Sequence, residues 1–135
     1  MLSRSVEETY KIAEEFAKNL KGGDVIILNG DLGAGKTTFT KGLAKALNIK
    51  ENITSPTFTL MNIYLSGKLP LYHYDMYRIT DEDETREIGL NEYFYGKGIC
   101  VVEWAENIKN LLPKKLITIN ITKVDDNSRE FEIIK

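Results

Sequence analysis

The sequence predicts an α/β fold in which a mainly parallel β-sheet is extended by antiparallel strands. An apolar run at residues 25–29 leads through a glycine-rich turn into a helical pattern, which indicates a strand–turn–helix unit. Residues 99–104, ICVVEW, are rich in β-branched side chains, as expected for a strand that is covered on both faces. Residues 116–124 and 129–135 alternate apolar and polar side chains around a polar turn, which predicts an antiparallel C-terminal hairpin.

The first predicted helix begins at Ser5, which forms an S-x-x-E capping pair with Glu8. Side chains then recur at helical spacing until a Gly-Gly pair ends the helix before the strand at 25–29. The spaced residues are Val6, Thr9, Ala13, Phe16 and Leu20. Thr9 is the polar member of this series, and its position alone favours a surface or half-buried threonine.

Residues 30–37, GDLGAGKT, match the pattern G-x-x-x-x-G-K-[ST] between the predicted strand and helix. A glycine-rich turn can curl main-chain N–H groups around a phosphate, and the N-terminus of the following helix adds partial positive charge. Lys36 would place a charge on the β- and γ-phosphates, and Thr37 would offer its hydroxyl to Mg²⁺. The motif therefore predicts a nucleoside triphosphate with Mg²⁺ and a three-layer P-loop NTPase fold.

The segment TSPT connects the phosphate-loop helix with predicted strands at 57–65 and 69–75. Pro56 fixes its own φ angle and favours an extended Ser55. Two interpretations are open. The segment is either an ordinary loop that enters a strand, or a switch-like segment in which the hydroxyls of Ser55 and Thr57 sense the γ-phosphate or its Mg²⁺.

Acidic residues lie at the ends of two predicted strands, Asp75 on the first and Glu103 on the second. Open α/β sheets place ligand-handling groups at the carboxyl ends of their strands, and P-loop proteins use such an acid to hold Mg²⁺. The two acids compete for this role. One division places Glu103 near Mg²⁺ or the attacking water and Asp75 behind it, and the alternative for Asp75 is a cap on the next turn.

The neighbours of these acids carry weaker signals. His73 lies two residues before Asp75, and a lone strand histidine is predicted to be a structural group rather than a metal ligand. Trp104 follows Glu103 and is either ordinary packing or an exposed aromatic at the nucleotide or partner surface. Residues 81–88 predict a capped acidic helix whose charges form a solvated face or a docking surface.

Composition limits the class of protein. The 135 residues fit one domain, 1–135. The net charge is −2 and no basic block stands out, so a broad surface for DNA or RNA is not predicted. No apolar run approaches a membrane span, and the N-terminus lacks an apolar signal core. The single cysteine, Cys100, cannot form an internal disulfide, and these features together fit a soluble cytoplasmic protein.

Other classes of nucleotide protein fit less well. Residues 122–125, TKVD, resemble the guanine-reading motif of GTPases, but Asp75 does not begin a D-x-x-G motif. A small-molecule kinase needs an acceptor pocket and usually an Arg-bearing lid, and residues 76–102 offer only 27 residues, with Arg78 and Arg86, for both. A nucleotide-gated binding module, in which ATP occupancy without hydrolysis drives partner association, is the alternative of a different class.

Four segments occur in order at short intervals: GDLGAGKTTFTKGLAKAL, SPTFTL, LYHYDMYR and ICVVEWAENI. Together they resemble the TsaE (YjeE) family of small bacterial ATPases over nearly the whole chain. The resemblance implies ATP binding and hydrolysis in support of TsaD and TsaB, which transfer a threonylcarbamoyl group to adenosine 37 of tRNAs that read codons beginning with A. The tRNA would be engaged indirectly, through the complex. No arginine finger is evident, so slow hydrolysis by the isolated chain and stimulation by partners are expected.

The resemblance also implies the site residues. Phosphate binding falls on Gly33, Ala34, Gly35, Lys36, Thr37 and Thr38, and the border of the nucleotide on Thr9 and Arg129. Mg²⁺ falls on Thr37 and Glu103, catalysis on Lys36, Asp75 and Glu103, and the switch-like segment on Ser55, Pro56 and Thr57. Some relatives begin with an extra strand before the first helix, for which MLSRS is too short and too polar.

Overall fold

The computed structural model describes residues 1–31, 33–56 and 58–135. The described residues form seven strands: β1 (Leu2–Ser3), β2 (Val25–Asn29), β3 (Met61–Tyr64), β4 (Leu71–Asp75), β5 (Ile99–Glu103), β6 (Ile117–Lys123) and β7 (Arg129–Ile134). The α-helices are α1 (Val6–Ala17), α2 (Lys36–Ala46) and α3 (Leu90–Phe94), with 3₁₀ helices at Glu82–Ile88 and Ala105–Leu111. Thr57 of the predicted switch-like segment and Leu32 of the phosphate loop lie outside the described residues.

The strands form one sheet in the order β1-β7-β6-β2-β5-β4-β3. The central strands β6, β2, β5 and β4 are parallel to one another, whereas β1, β7 and β3 pair antiparallel at the two edges. The predicted α/β fold, with a mainly parallel sheet and a C-terminal antiparallel hairpin, is confirmed. Because β2 lies between β6 and β5, the loop that leaves its carboxyl end emerges at the middle of the sheet.

Alternate residues of the central strands point to opposite faces, so each face of the sheet has its own apolar core. Helices α1 and α2 cover the face that carries Leu28 and Val101. Helix α3 and the 3₁₀ helix at Ala105–Leu111 cover the face that carries Ile27 and Val102. These two covered faces give the predicted three layers.

The prediction that MLSRS is too short and polar for a strand is wrong. Leu2 and Ser3 pair with β7 as strand β1. Met1 extends the pairing, since its carbonyl oxygen accepts a hydrogen bond from the N–H of Phe131 at 2.8 Å. Main-chain groups make these bonds, so the otherwise unpaired edge of β7 orders a segment whose side chains carry no strand signal.

The strand predicted at 57–65 is shorter in the structure, because β3 begins only at Met61. The chain before it turns, with the carbonyl of Pro56 accepting a hydrogen bond from the N–H of Leu60 at 2.7 Å. Leu60 has a φ angle of 68°, which is incompatible with an extended strand. The partner strand β4 likewise begins later than the predicted residue 69.

The predicted helical segments are present with small changes. The side chain of Ser5 accepts a hydrogen bond from the N–H of Glu8 at 3.0 Å and caps α1 as predicted. The acidic segment is a 3₁₀ helix, and Asp81 and Glu84 form its capping box. None of the helices in the described part of the chain combines the length and the apolar character that crossing a membrane requires.

Candidate nucleotide-binding site

The loop between β2 and α2 has a shape that depends on glycine. Gly33 and Gly35 have φ angles of 82° and 106°, in a region that residues with a Cβ rarely adopt. Gly35 is the N-cap of α2 and gives the helix no side-chain hydrogen bond. The first N–H groups of α2 have no acceptor within the helix and lie at the positive end of its dipole. This arrangement suits a phosphate.

Gly30 is required for a different reason, which is close packing. A Cβ atom on Gly30 would lie 2.9 Å from the carbonyl oxygen of Ile121 and 3.1 Å from the Cβ of Ala34. The N–H of Ala34 in turn donates to the carbonyl of Asp31 at 2.9 Å. The loop is thus curled on itself and lies against β6, so its main chain is held in place before any ligand binds.

Lys36, the first residue of α2, lies between an acid and an aromatic ring. Its Nζ atom is 3.5 Å from Oε1 of Glu103 and 5.3 Å from the centroid of the Trp104 ring. The side chains of Lys36 and Glu103 are only 11% and 6% exposed. Because such a pair is little screened by water, the ammonium group is held firmly beside the N-terminus of α2.

Thr37 and Thr38 follow Lys36 in the first turn of α2 and are half-buried. The hydroxyl of Thr37 is therefore an oxygen ligand of the required type at the helix end that carries the loop. Thr40 is different, because its hydroxyl donates a hydrogen bond of 3.0 Å to the carbonyl of Lys36 within α2.

The two acids named from the sequence lie side by side at the carboxyl ends of β4 and β5. Asp75 and Glu103 are direct partners in the parallel register, so their side chains share the face of the sheet that α2 covers. Both residues are buried. Asp75 accepts a hydrogen bond through Oδ1 from the N–H of Tyr77 at 3.0 Å and thereby caps the turn after β4.

Glu103 divides its two carboxylate oxygens between two partners. Oε1 faces Lys36, and Oε2 lies 2.6 Å from Nε2 of His73. Burial alone raises the pKa of Glu103, but hydrogen bonds and charge interactions with His73 and Lys36 outweigh burial and bring the pKa below its usual value. Glu103 is therefore an anion held next to Lys36, and it is an oxygen ligand of the kind that Mg²⁺ takes.

His73, predicted to be a structural group rather than a metal ligand, contacts Glu103, and the sequence did not predict this contact. It is fully buried in β4, on the same face of the sheet as Asp75. The H-x-D spacing was the available signal, because residues two apart in a strand point the same way. That Glu103, 30 residues later, meets His73 depends on the pairing of β4 with β5, which periodicity does not give.

Trp104 turns the chain out of β5. Its φ and ψ angles of 58° and 42° are left-handed, which is strained for a bulky side chain. Trp104 is 37% exposed, and the centroid of its ring lies 4.8 Å from that of Tyr77. One part of the ring is thus packed against Tyr77 and Lys36, and another part faces solvent.

Arg129, at the start of β7, reaches across to the loop. Its Nη2 donates to the carbonyl of Gly33 at 3.1 Å, and its Nη1 donates to the carbonyls of Asp125 and Ser128 at 2.8 and 3.0 Å. A Cβ atom on Gly35 would lie 3.7 Å from Nε of the same guanidinium. The C-terminal hairpin therefore braces the phosphate loop through Arg129.

The nucleotide roles of Thr9 and of the switch-like segment stay predictions. The prediction of a surface or half-buried Thr9 is wrong, because Thr9 is buried and its hydroxyl shares a hydrogen bond of 2.7 Å with that of Ser3, which ties α1 to β1. Ser55 is exposed and Pro56 is buried. Thr57 lies outside the described residues.

Known proteins match this chain in sequence and in fold. The family described as "Threonylcarbamoyl adenosine biosynthesis protein TsaE" matches residues 3–131. The tRNA threonylcarbamoyladenosine biosynthesis protein TsaE of Bacillus subtilis (strain 168) is 52% identical over 124 residues, which are 92% of this chain and 77% of that protein. The protein of the same name from Aquifex aeolicus (strain VF5) is 46% identical over 137 residues, covering 100% of this chain and 95% of that protein.

The crystal structure of Bacillus subtilis YdiB aligns with a TM-score of 0.83 and 45% identity, over 97% of this chain and 80% of that one. The structural alignment spans nearly the whole chain, so it includes the sheet, the helices on both of its faces and the phosphate loop. The chain belongs to the TsaE family.

Proposed function

We propose that this chain is an ATPase that binds ATP with Mg²⁺ and hydrolyses it to ADP and phosphate. Hydrolysis would support TsaD and TsaB as they transfer a threonylcarbamoyl group to adenosine 37 of tRNAs that read codons beginning with A. The whole chain, residues 1–135, would act as one cytoplasmic ATPase domain. The tRNA would be held by the partners, in keeping with a net charge of −2 on this chain.

The observation that carries the proposal is the meeting of Lys36 with Glu103. The ammonium group lies at the N-terminus of α2, where unpaired N–H groups also point, and it is 3.5 Å from a buried carboxylate at the end of β5. Donors for phosphate and an acid that can hold a metal ion are thus within one site. ATP hydrolysis requires both.

The residues present fit Mg²⁺. Thr37 and Glu103 would hold the ion, since a hydroxyl and an ionised carboxylate are the hard oxygen ligands that it prefers. The described residues contain no cluster of three or more His, Cys, Asp and Glu side chains that could hold a metal ion by themselves. The remaining ligands would come from phosphate and water, as is usual for this ion, which when bound neutralises charge on the phosphate oxygens.

The chain's own residues would stabilise the charge that develops during phosphoryl transfer. The loop N–H groups and Lys36 would surround the β- and γ-phosphates, and they are already oriented by the glycine conformations and by the packing of Gly30. Glu103 would hold the ammonium group of Lys36 next to the position of Mg²⁺. Asp75, beside Glu103, would help to orient the attacking water.

We expect slow hydrolysis by the isolated chain, because the guanidinium of Arg129 is already hydrogen-bonded within the protein. Its Nη atoms donate to main-chain carbonyls of the loop and the hairpin turn. With its Nη atoms hydrogen-bonded to main-chain carbonyls, Arg129 would brace the loop rather than act as an arginine finger in the isolated chain. Partners would stimulate hydrolysis by supplying a positive charge or by reorienting Arg129.

The experiment is a comparison of ATP turnover by the chain alone and with purified TsaD, TsaB and tRNA, together with tRNA modification over repeated cycles. We expect turnover to rise in the complex and a non-hydrolysable ATP analogue to stop modification after the first cycle. Full multiple-cycle modification with the analogue would instead identify a nucleotide-gated binding module. Transfer of the γ-phosphate to a small molecule would identify a kinase.

A further inference from the structure

His73, whose role rests on the proposed function, is the sole histidine of the chain and is fully buried in β4. In the sheet register it lies opposite Val101, and two residues later Asp75 lies opposite Glu103. Its side chain therefore points to the same face as that of Glu103, and Nε2 is 2.6 Å from Oε2 of the carboxylate. Burying these polar groups costs free energy, which their hydrogen bond offsets.

The direction of this hydrogen bond can be assigned. A carboxylate oxygen accepts, so Nε2 of His73 carries the proton and donates. Nδ1 is also buried, and no hydrogen-bond partner faces it among the described residues. A proton on Nδ1 alone would leave a buried donor unpaired and set the lone pair of Nε2 against a carboxylate. Both effects favour a protonated Nε2.

We propose that His73 is a positioning residue for Glu103. Its Nε2–H group fixes Oε2, which leaves Oε1 directed at Lys36. The last torsion of a glutamate is soft, so without this bond the carboxylate samples other orientations. His73 would thus act on Mg²⁺ binding and hydrolysis through Glu103, without touching the nucleotide itself.

The first test separates metal-dependent chemistry from nucleotide binding. For His73→Leu we expect kcat to fall about 10- to 100-fold and the Mg²⁺ concentration for half-maximal rate to rise, as for other outer partners of metal-holding side chains. ADP affinity in EDTA should stay within about twofold of wild type, since the loop and Lys36 are unchanged. His73→Gln, whose amide N–H₂ can reach Oε2, should restore a large part of the activity. Tyr74→Phe, a buried neighbour on the opposite face of β4, is the matched control.

The second test needs no activity. Because His73 is the only histidine, labelling with ¹⁵N-histidine reports this residue alone. We expect the nitrogen shifts of a protonated Nε2 in the wild-type chain, and a changed Nε2 environment in Glu103→Ala with the fold retained. A bare Nε2 would overturn the proposal.

The two tests distinguish a failure of the proposed function from a failure of the role proposed for His73. If the wild-type chain with its partners does not hydrolyse ATP, the proposed function is lost, while the nitrogen shifts still decide whether His73 donates to Glu103. Wild-type kcat and Mg²⁺ dependence in His73→Leu would overturn the positioning role. So would an equal loss of hydrolysis and of ADP binding in EDTA, because that pattern marks a merely structural residue.

Discussion

The guanidinium of Arg129 donates a hydrogen bond of 3.1 Å to the carbonyl of Gly33, although 96 residues separate them in the chain. The hairpin that carries Arg129 is also joined to the loop through the sheet, because β6 pairs in parallel with β2. The phosphate loop is thus fixed at two points, through the strand that enters it and through a side chain from β7. Nucleotide affinity should therefore depend on a residue far from the loop motif.

Arg129→Lys tests this brace. The substitution keeps the charge but removes the planar fork of donors that serves several carbonyls at once. We expect ATP affinity to fall about tenfold, or about 1.4 kcal/mol, measured by isothermal titration calorimetry. Lys123→Ala, which removes an exposed cation of the same hairpin, should leave affinity unchanged. Unaltered affinity in Arg129→Lys would show that the loop keeps its shape without the brace.

Lys36→Ala should abolish hydrolysis while the fold is kept. Loss of a preoriented charge-stabilising group costs about 10²- to 10³-fold in rate, or roughly 3–4 kcal/mol, at comparable sites. ATP binding should weaken as well, and thermal unfolding should confirm that the protein is folded. Lys41→Ala, an exposed lysine of the same helix, is the matched control. Hydrolysis at the wild-type rate in Lys36→Ala would refute the site.

Glu103→Gln and Asp75→Asn distinguish the roles of the two acids. Glu103→Gln keeps the shape of the side chain but removes the anion next to Lys36. We expect it to reduce Mg²⁺-dependent hydrolysis by at least about tenfold, with a smaller effect on nucleotide binding. Asp75→Asn should have the smaller effect on Mg²⁺ dependence, since Asp75 caps the turn at Tyr77. If only Asp75→Asn alters Mg²⁺ dependence, the roles of the two acids are reversed.

Trp104 should report the occupancy of the site. It is the only tryptophan, and the ammonium of Lys36 lies 5.3 Å from the centroid of its ring. Phosphates that attract Lys36 would change this contact, so ATP should shift the intrinsic fluorescence. In Lys36→Ala the nucleotide-dependent shift should be strongly reduced at saturating ATP. An identical shift in that variant would mean that Trp104 senses the nucleotide directly.

Local sequence predicted the parts of this site that local geometry determines. The phosphate loop, the strand that enters it and the C-terminal hairpin each have a short pattern in which spacing implies shape. Asp75 and Glu103 were found because both end a strand, and β4 and β5 do place them side by side.

The missed features depend on pairing between distant segments. Strand β1 exists because β7 offers an open edge, and β3 is short because Pro56 and Leu60 form a turn before it. The sequence predicts His73 to be a structural group, because no residue near it in the chain indicates a contact with Glu103. Its contact follows only once β4 lies next to β5.

Cys100 should make stability fall at alkaline pH. Burial raises the pKa of its thiol to about 12, against about 8.5 for an exposed thiol. The unfolded chain therefore releases a proton that the folded chain keeps, so between about pH 9 and 12 this group lowers the free energy of unfolding by up to about 1.4 kcal/mol per pH unit. Urea unfolding at several pH values should give a shallower decline in Cys100→Ala than in wild type. Equal slopes, or rapid labelling of the native thiol at pH 8, would contradict a buried, protonated Cys100.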